Sequence, residues 1–170
     1  MDVVVEYLIK KQKKPVDYLI TVGYIVAAVV VFFAGTFIGT LSQYLSMIGV
    51  IIGVGAIYLA YRLISARNIE YEYSIVNGEM DVDKIIARKK RRRILTLRLL
   101  GVSSAGKYNK ADFAGQSFDS EVYVCEDPDK DNSYYMVFDH RDFGHCLMVL
   151  TPSERLLEAM HVYIPQGRWK

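Results

Sequence analysis

The strongest constraint on the fold is a long stretch of chain without charge. From Tyr18 to Tyr61 the sequence contains no Asp, Glu, Lys, Arg or His. A membrane-spanning helix needs about 20 apolar residues, so this stretch is long enough to cross a membrane twice. The polar group Gly39–Gln43 interrupts it, where a turn at a water interface is expected. The sequence therefore predicts two transmembrane helices, at about Tyr18–Ile38 and Tyr44–Leu63.

The distribution of positive charge predicts the orientation of these helices. Four lysines (Lys10, Lys11, Lys13 and Lys14) precede the first span, and Arg62 and Arg67 follow the second. The loop between the spans contains neither Lys nor Arg. Because Lys and Arg are enriched in short cytoplasmic segments next to membrane spans, both termini are predicted to be cytoplasmic. The chain is expected to be a multi-pass protein of the inner, cytoplasmic membrane.

Three regions follow from this pattern. Residues 1–17 form a basic cytoplasmic leader, residues 18–63 form the helical hairpin, and residues 68–170 form one cytoplasmic domain. The leader segment Asp2–Lys14 is interpreted either as a short helix on the inner leaflet or as a frayed basic segment that only sets orientation. A cleaved signal peptide is the competing interpretation of the first span. Its apolar core is longer than usual and follows a long charged leader, so an anchor is expected.

The domain begins with a predicted β-hairpin. Apolar and polar residues alternate along Ile69–Val76, which is typical of a strand with one buried face. Asn77-Gly78 follows and favours a two-residue turn. Pairing across that turn sets Tyr73 opposite Val82 and Ile75 opposite Met80, so the apolar faces coincide. The same register places Glu72 opposite Asp83, which is unfavourable.

The rest of the domain is predicted to contain further strands and one helix. Alternation indicates a third strand at Ile94–Leu100, and three short strands follow at Glu121–Glu126, Tyr134–Asp139 and Gly144–Leu150. Thr151-Pro152-Ser153-Glu154 matches a capping box with Thr151 as N-cap, before the C-terminal helix. Residues Ser103–Gln116 show no clear period and are predicted to be a long loop, with one weak helical or strand piece as the alternative. The fold class is α+β, with six or seven antiparallel strands closed by one C-terminal helix.

This arrangement resembles a bacterial pleckstrin-homology-like (PH-like) domain, a β-sandwich or partly open barrel. The resemblance rests on Asn68–Ile94, in which a strand, an Asn-Gly turn and a basic connection to the third strand follow the second span. The chain is also similar to small two-span bacterial membrane proteins with this arrangement. The resemblance implies binding or scaffolding rather than catalysis.

Six consecutive cations, Arg88-Lys89-Lys90-Arg91-Arg92-Arg93, form the most distinctive local feature. They cannot all lie on one face of a strand, so the sequence predicts that they occupy a hairpin tip. Near the inner leaflet, each could contribute about 1 kcal/mol of attraction to anionic lipid headgroups. The alternative is a solvated loop that partly neutralises the acidic side of the domain. A nucleic-acid site is not expected, because no recognition fold or aromatic stacking platform accompanies the cations.

Glycines within the spans predict close helix packing. Gly35 and Gly39 form one small-x-x-x-small pair, and Gly49 and Gly53 form another. Packing within one hairpin is the favoured interpretation, and a dimerisation face is the alternative. Neither span contains an ionisable residue, so the hairpin is expected to be an anchor rather than a transport pathway.

No pattern in the sequence indicates a metal site or catalysis. Asp127, Asp129 and Asp131 have the spacing that begins a calcium loop, but Asn132 and Phe138 stand where Gly and Glu are needed, so a tight acidic turn is favoured. His145 and Cys146 could form a base and a nucleophile only if they met, and neighbours on a strand point to opposite faces.

Cys125 and Cys146 are therefore interpreted as buried core thiols in a reducing compartment. His161 is placed near the end of the C-terminal helix, where a cation would complement the helix dipole. The sequence predicts a non-enzymatic protein without a cofactor. Its expected partners are membrane lipids, including anionic lipids, or a membrane protein. Two functions remain open: a membrane-anchored binding or scaffolding protein, and an accessory subunit that docks through its hairpin.

Overall fold

The structure is a computed structural model that describes residues 4–40 and 42–170. Asp2 and Val3 of the predicted leader, and Leu41 of the predicted break, lie outside the described residues. The chain forms two compact units, one from residues 4–12 and 69–170 and the other from residues 13–68. The predicted order of two helices, a β-domain and one C-terminal helix is confirmed.

The first sheet has four antiparallel strands. They are β1 (Val4–Lys10), β2 (Ile69–Val76), β3 (Glu79–Ile86) and β4 (Lys90–Arg98), and they lie in that order across the sheet. The register predicted for the β2–β3 hairpin is confirmed, with Tyr73 opposite Val82 and Ile75 opposite Met80. Asn77 and Gly78 both have positive φ, at 52° and 82°, as the predicted turn requires.

Part of the predicted leader is instead a strand of this sheet. Residues Val4–Lys10 pair with β2 along their whole length, so the prediction of a short helix or a frayed segment is wrong there. Tyr7 and the buried Ile9 point toward the core, whereas Glu6 and Lys10 are exposed. This alternation lets β1 cover the open edge of β2 with an apolar face. The domain therefore includes residues on both sides of the helical hairpin.

The second sheet contains β5 (Val102–Lys107), β6 (Ser120–Val124), β7 (Tyr134–His140) and β8 (Gly144–Leu150), in the order β5-β7-β8-β6. Two features differ from the prediction. First, β5 and a 3-10 helix at Lys110–Phe113 lie within the segment predicted to be a loop. Second, β6 pairs with β8 in parallel, so the strands are not all antiparallel.

The C-terminal helix, α3 (Glu154–Tyr163), begins two residues later than predicted. Its N-cap is Ser153, whose side chain accepts a hydrogen bond of 3.3 Å from the Leu156 N–H. The predicted cap, Thr151, is buried, and its hydroxyl accepts a bond from the Glu126 N–H at 3.3 Å. Thr151 therefore joins the end of β8 to the segment after β6 instead of capping the helix.

The two sheets and α3 enclose the main core. Fully buried side chains from all three meet there, including Tyr73, Ile75, Met148, Leu156 and Met160. The Tyr73 hydroxyl also donates to the Val124 carbonyl and so links the two sheets. A smaller cluster covers the other face of the second sheet, where Tyr108 and Phe113 of the predicted loop pack together with Phe118.

The other unit consists of two long helices, α1 (Pro15–Gly39) and α2 (Gln43–Ala66), which pack side by side. Both are slightly longer than predicted. Both are long and apolar enough to cross a membrane, by length and composition. Few of their residues are buried, so most of the apolar side chains face outward.

Candidate functional site

The basic run Arg88–Arg93 begins in a turn and continues along an edge strand. Ala87 and Arg88 have φ of 54° and 56° in the turn between β3 and β4, and β4 begins at Lys90. The prediction that the whole run lies at a hairpin tip is therefore wrong for Lys90–Arg93. Because successive side chains of a strand point to opposite faces, the run is divided between the two faces of the sheet.

The outer face of the first sheet is the one turned away from the main core. On this face, the cations meet carboxylates of β2 and β3. Arg93 lies 2.8 Å from Asp81 and 2.9 Å from Asp83. Arg91 forms an ion pair with Glu72 and approaches Asp83 to 3.9 Å. Glu72 faces Asp83 as predicted, and Arg91 compensates for this unfavourable pair because it contacts both carboxylates. The hydrogen bond from Arg93 to Asp83 raises the pKa of the Arg93 guanidinium.

The carboxylates of this face are more enclosed than the cations. Glu70 and Asp83 are buried, at 8% and 6% exposure, whereas Arg88 is largely exposed and lies 3.2 Å from Glu70. A buried carboxylate is costly unless it is paired, so these contacts stabilise the fold. We call Arg88, Arg91 and Arg93 the paired cations.

The remaining members of the run have no such partners. Within the described ranges 4–40 and 42–170, no ion pair or side-chain hydrogen bond involves Lys89, Lys90 or Arg92. Arg92 lies directly opposite Lys84 of β3, which also lacks an ion pair in those ranges. We call Lys84, Lys89, Lys90 and Arg92 the unpaired cations. Lys84, Lys90 and Arg92 project from the face opposite to Arg91 and Arg93.

The register places the run at one particular end of the first sheet. Lys10 pairs with Glu70, Ile69 with Ile86, and Ile86 with Lys90. Lys10 and Ile69 lie where the chain leaves the sheet for α1 and returns from α2. The β3–β4 turn therefore lies at the sheet end that is covalently connected to the helical hairpin.

The four glycines predicted for helix packing lie between α1 and α2. A Cβ added at Gly35 would approach the Gly49 carbonyl oxygen to 2.6 Å, and one at Gly39 would meet the Ser46 Cα at 2.6 Å. A Cβ at Gly53 would approach the Phe32 ring to 2.7 Å. These distances leave no room for a larger side chain, so the glycines allow the two backbones to pack closely.

The comparison with protein families identifies the kind of chain. A family model described as bacterial PH-like domain (DUF6106) matches residues 1–169. The chain belongs to this family. The resemblance based on Asn68–Ile94 is thereby confirmed, and the match includes both helices as well as the sheets. No curated protein and no solved structure matches the chain.

The acidic segment of this PH-like protein forms a turn between β6 and β7. Asp127 organises it: its side chain accepts from the Asp129 N–H at 3.2 Å, and its carbonyl accepts from the Ser133 hydroxyl at 2.9 Å. Lys130 pairs with Glu126 at 2.8 Å. Among the residues that the structure describes, no group of three or more His, Cys, Asp or Glu side chains is arranged to hold a metal ion.

The cysteine and histidine residues do not form a nucleophile and base. Cys146 is completely buried in the main core, whereas His145 is exposed and lies 2.8 Å from Asp139. Cys125 is buried in the second cluster, and burial raises its pKa to about 11. A thiol needs to ionise to act as a nucleophile, so both sites are unsuited to it. His161 stacks on Trp169 with ring centroids 3.8 Å apart.

The sequence reasoning recognised the basic run but missed its division into two sets. Glu70, Glu72, Asp81 and Asp83 are the residues that divide it, and the predicted β2–β3 register already placed Glu72 beside Asp83. The available signal was the matching alternation of acidic residues on β2 and β3 and basic residues after the turn. Lys84 was also missed. It lies opposite Arg92 only if β4 begins at Lys90, and that strand start was not predicted.

Proposed function

We propose that this member of the bacterial PH-like family is a membrane-anchored, non-catalytic binding protein of the cytoplasmic membrane. Its helical hairpin crosses the membrane twice, and both termini and the PH-like domain lie in the cytoplasm. The domain presents a surface to anionic lipid or to a protein partner.

The pairing of β1 with β2 carries this proposal. The two strands are neighbours along their whole length, yet the helical hairpin separates them in sequence. A chain that leaves a sheet and returns to the adjacent strand must start and finish its excursion on the same side of a membrane. Two spans satisfy this condition and one does not. Asp17, in the first turn of α1, forms an ion pair with Arg67, directly after α2. This contact supports the same arrangement.

The same pairing argues against a cleaved signal peptide. Cleavage after α1 would remove β1, so it would expose the backbone edge of β2 and uncover part of the core around Ile9. The charge pattern supports a cytoplasmic domain, because Lys residues precede α1 and Arg residues are found at the end of α2.

A binding role is supported by the family and by the state of the reactive side chains. The two thiols are buried, and among the described residues no group of three or more His, Cys, Asp or Glu side chains is arranged to hold a metal ion. Docking of a membrane protein through the glycine pairs is less well supported, because the glycines already pack against the partner helix of the same chain. A partner that used them would have to displace that packing.

Cysteine labelling in cells tests the proposed topology. Thr40→Cys places a thiol between the helices, and Lys110→Cys places one on the exposed surface of the domain. We expect a membrane-impermeant maleimide to label position 40 in intact cells and position 110 only after permeabilisation. The wild type is the control, because its two thiols are buried. Labelling of both positions in intact cells would contradict the proposal.

A further inference from the structure

The unpaired cations face one another at an energetic cost. Arg92 and Lys84 are directly opposite across β3 and β4, and like charges in that position destabilise a sheet. Lys90 lies two residues along the same face, and Lys89 precedes it in the turn. No carboxylate among the residues of ranges 4–40 and 42–170 forms an ion pair with any of the four. An anion placed among these side chains would relieve the repulsion.

The position of these cations indicates where that anion comes from. Lys90 is two strand spacings from Ile69, at which the chain returns from α2. Neighbouring strands are about 4.8 Å apart, so the separation is about 10 Å. This is slightly more than the Debye length of about 8 Å at physiological ionic strength, so the charge of the cations is only partly screened at the point where the chain returns from α2.

We propose that the unpaired cations, rather than the whole basic run, bind the phosphate groups of anionic phospholipids in the membrane that holds the helical hairpin. This inference rests on the proposed function for the position of the membrane. The paired cations are excluded from the site because their charge is neutralised by Glu70, Glu72, Asp81 and Asp83. The phosphate contact is therefore made by one face of the β3–β4 hairpin and its turn.

The acidic turn does not cancel this site, because it is next to the opposite edge of the sheet. The Glu126 carbonyl accepts a hydrogen bond from the N–H of Gln12, directly after β1. Strands β1 and β4 are three spacings apart, or about 14 Å, which exceeds the Debye length. The acidic turn is therefore next to β1, at the edge of the sheet opposite to β4.

Two matched variants of the full chain test the inference. Each removes three charges from the same run: Lys89→Gln with Lys90→Gln and Arg92→Gln, or Arg88→Gln with Arg91→Gln and Arg93→Gln. The proteins are purified in mild detergent and titrated with phosphatidylglycerol, with phosphatidylcholine and inorganic phosphate as separate comparisons, and binding is followed by native mass spectrometry. At about 1 kcal/mol per cation, we expect the first variant to bind phosphatidylglycerol on the order of 100-fold more weakly.

The second variant is expected to keep the wild-type affinity for phosphatidylglycerol. If the loss of its ion pairs prevents folding, Arg88→Gln alone replaces it, because Arg88 is largely exposed. Unchanged binding by the first variant would overturn the inference, as would equal binding of phosphatidylcholine or of inorganic phosphate. The measurement is made in detergent, so it does not depend on orientation. Failure here with correct cysteine labelling would remove only this inference, whereas incorrect labelling would remove the proposed function.

Discussion

The paired and unpaired cations lie on the same short segment but have opposite relations to the fold. Arg91 and Arg93 contact carboxylates that are largely buried, so the domain needs them for stability. Lys90 and Arg92 contact no carboxylate in the described part of the chain, and Arg92 faces Lys84. A run of like charges is therefore not one functional unit. Strand alternation separates the charges that stabilise the sheet from those that remain available to a ligand.

The largest difference between the two sets is expected in stability. Arg93→Gln removes both ion pairs of Arg93 and leaves the buried Asp83 with only the long contact to Arg91. We expect a loss of about 2 kcal/mol in the free energy of unfolding, the usual range for a hydrogen bond to a charged group. Chemical denaturation of the full chain in mild detergent, followed by the fluorescence of the single tryptophan, Trp169, measures it.

Arg92→Gln is the matched control, because it removes one charge from the next position of the same strand. Its expected effect is within about 0.5 kcal/mol of wild type, as for other surface substitutions. The double variant Asp83→Asn with Arg93→Gln should lose less than the sum of the two single changes, because both remove the same interaction. Equal losses for Arg93→Gln and Arg92→Gln would show that the distinction between the two sets is wrong.

The smallest effect on stability is expected for an exposed ion pair whose distance is similar to those made by the paired cations. Arg98 lies 3.0 Å from Glu79 at the other end of β4, but both side chains are more than half exposed. Exposed ion pairs contribute little, so Arg98→Gln should change the free energy of unfolding by less than about 0.5 kcal/mol. The same denaturation experiment compares it with Arg93→Gln. A loss as large as that of Arg93→Gln would mean that burial of the carboxylate does not determine the effect.

The parts of the fold that sequence predicts well are those determined by neighbouring residues. The β2–β3 hairpin was predicted to the correct register because alternation and the Asn77-Gly78 turn act over a short segment. The strand at Gly144–Leu150 was predicted at its exact limits for the same reason. The two long helices were evident from the absence of charge alone.

The missed parts depend on partners that are distant in the sequence. β1 alternates Tyr7 and Ile9 with Glu6 and Lys10, but its partner strand begins only after both helices, and the neighbouring lysines favoured a basic leader. β5 consists mainly of small residues with little strand preference and is held by pairing with β7. The N-cap was misplaced because Thr151 is used by Glu126, which local sequence does not reveal.

The candidate site was located by sequence but not resolved by it. Six adjacent cations indicated an anion-binding surface, whereas their division required the positions of four carboxylates on two other strands. The strand start at Lys90 was missed because lysine and arginine are poor indicators of a strand when no partner is known. The sheet supplies that partner in β3, where Asp83 faces Arg93.

The most direct test of the account is the depth of the two ends of β4 relative to the membrane. Lys89→Cys and Arg98→Cys each remove one positive charge and place a label at positions about 25 Å apart along the strand. The full chain, labelled at one position, is reconstituted into nanodiscs that contain phosphatidylglycerol and a lipid with a quencher on its headgroup. We expect strong quenching at position 89 and little at position 98. Equal quenching at both positions, or stronger quenching at position 98, would contradict it.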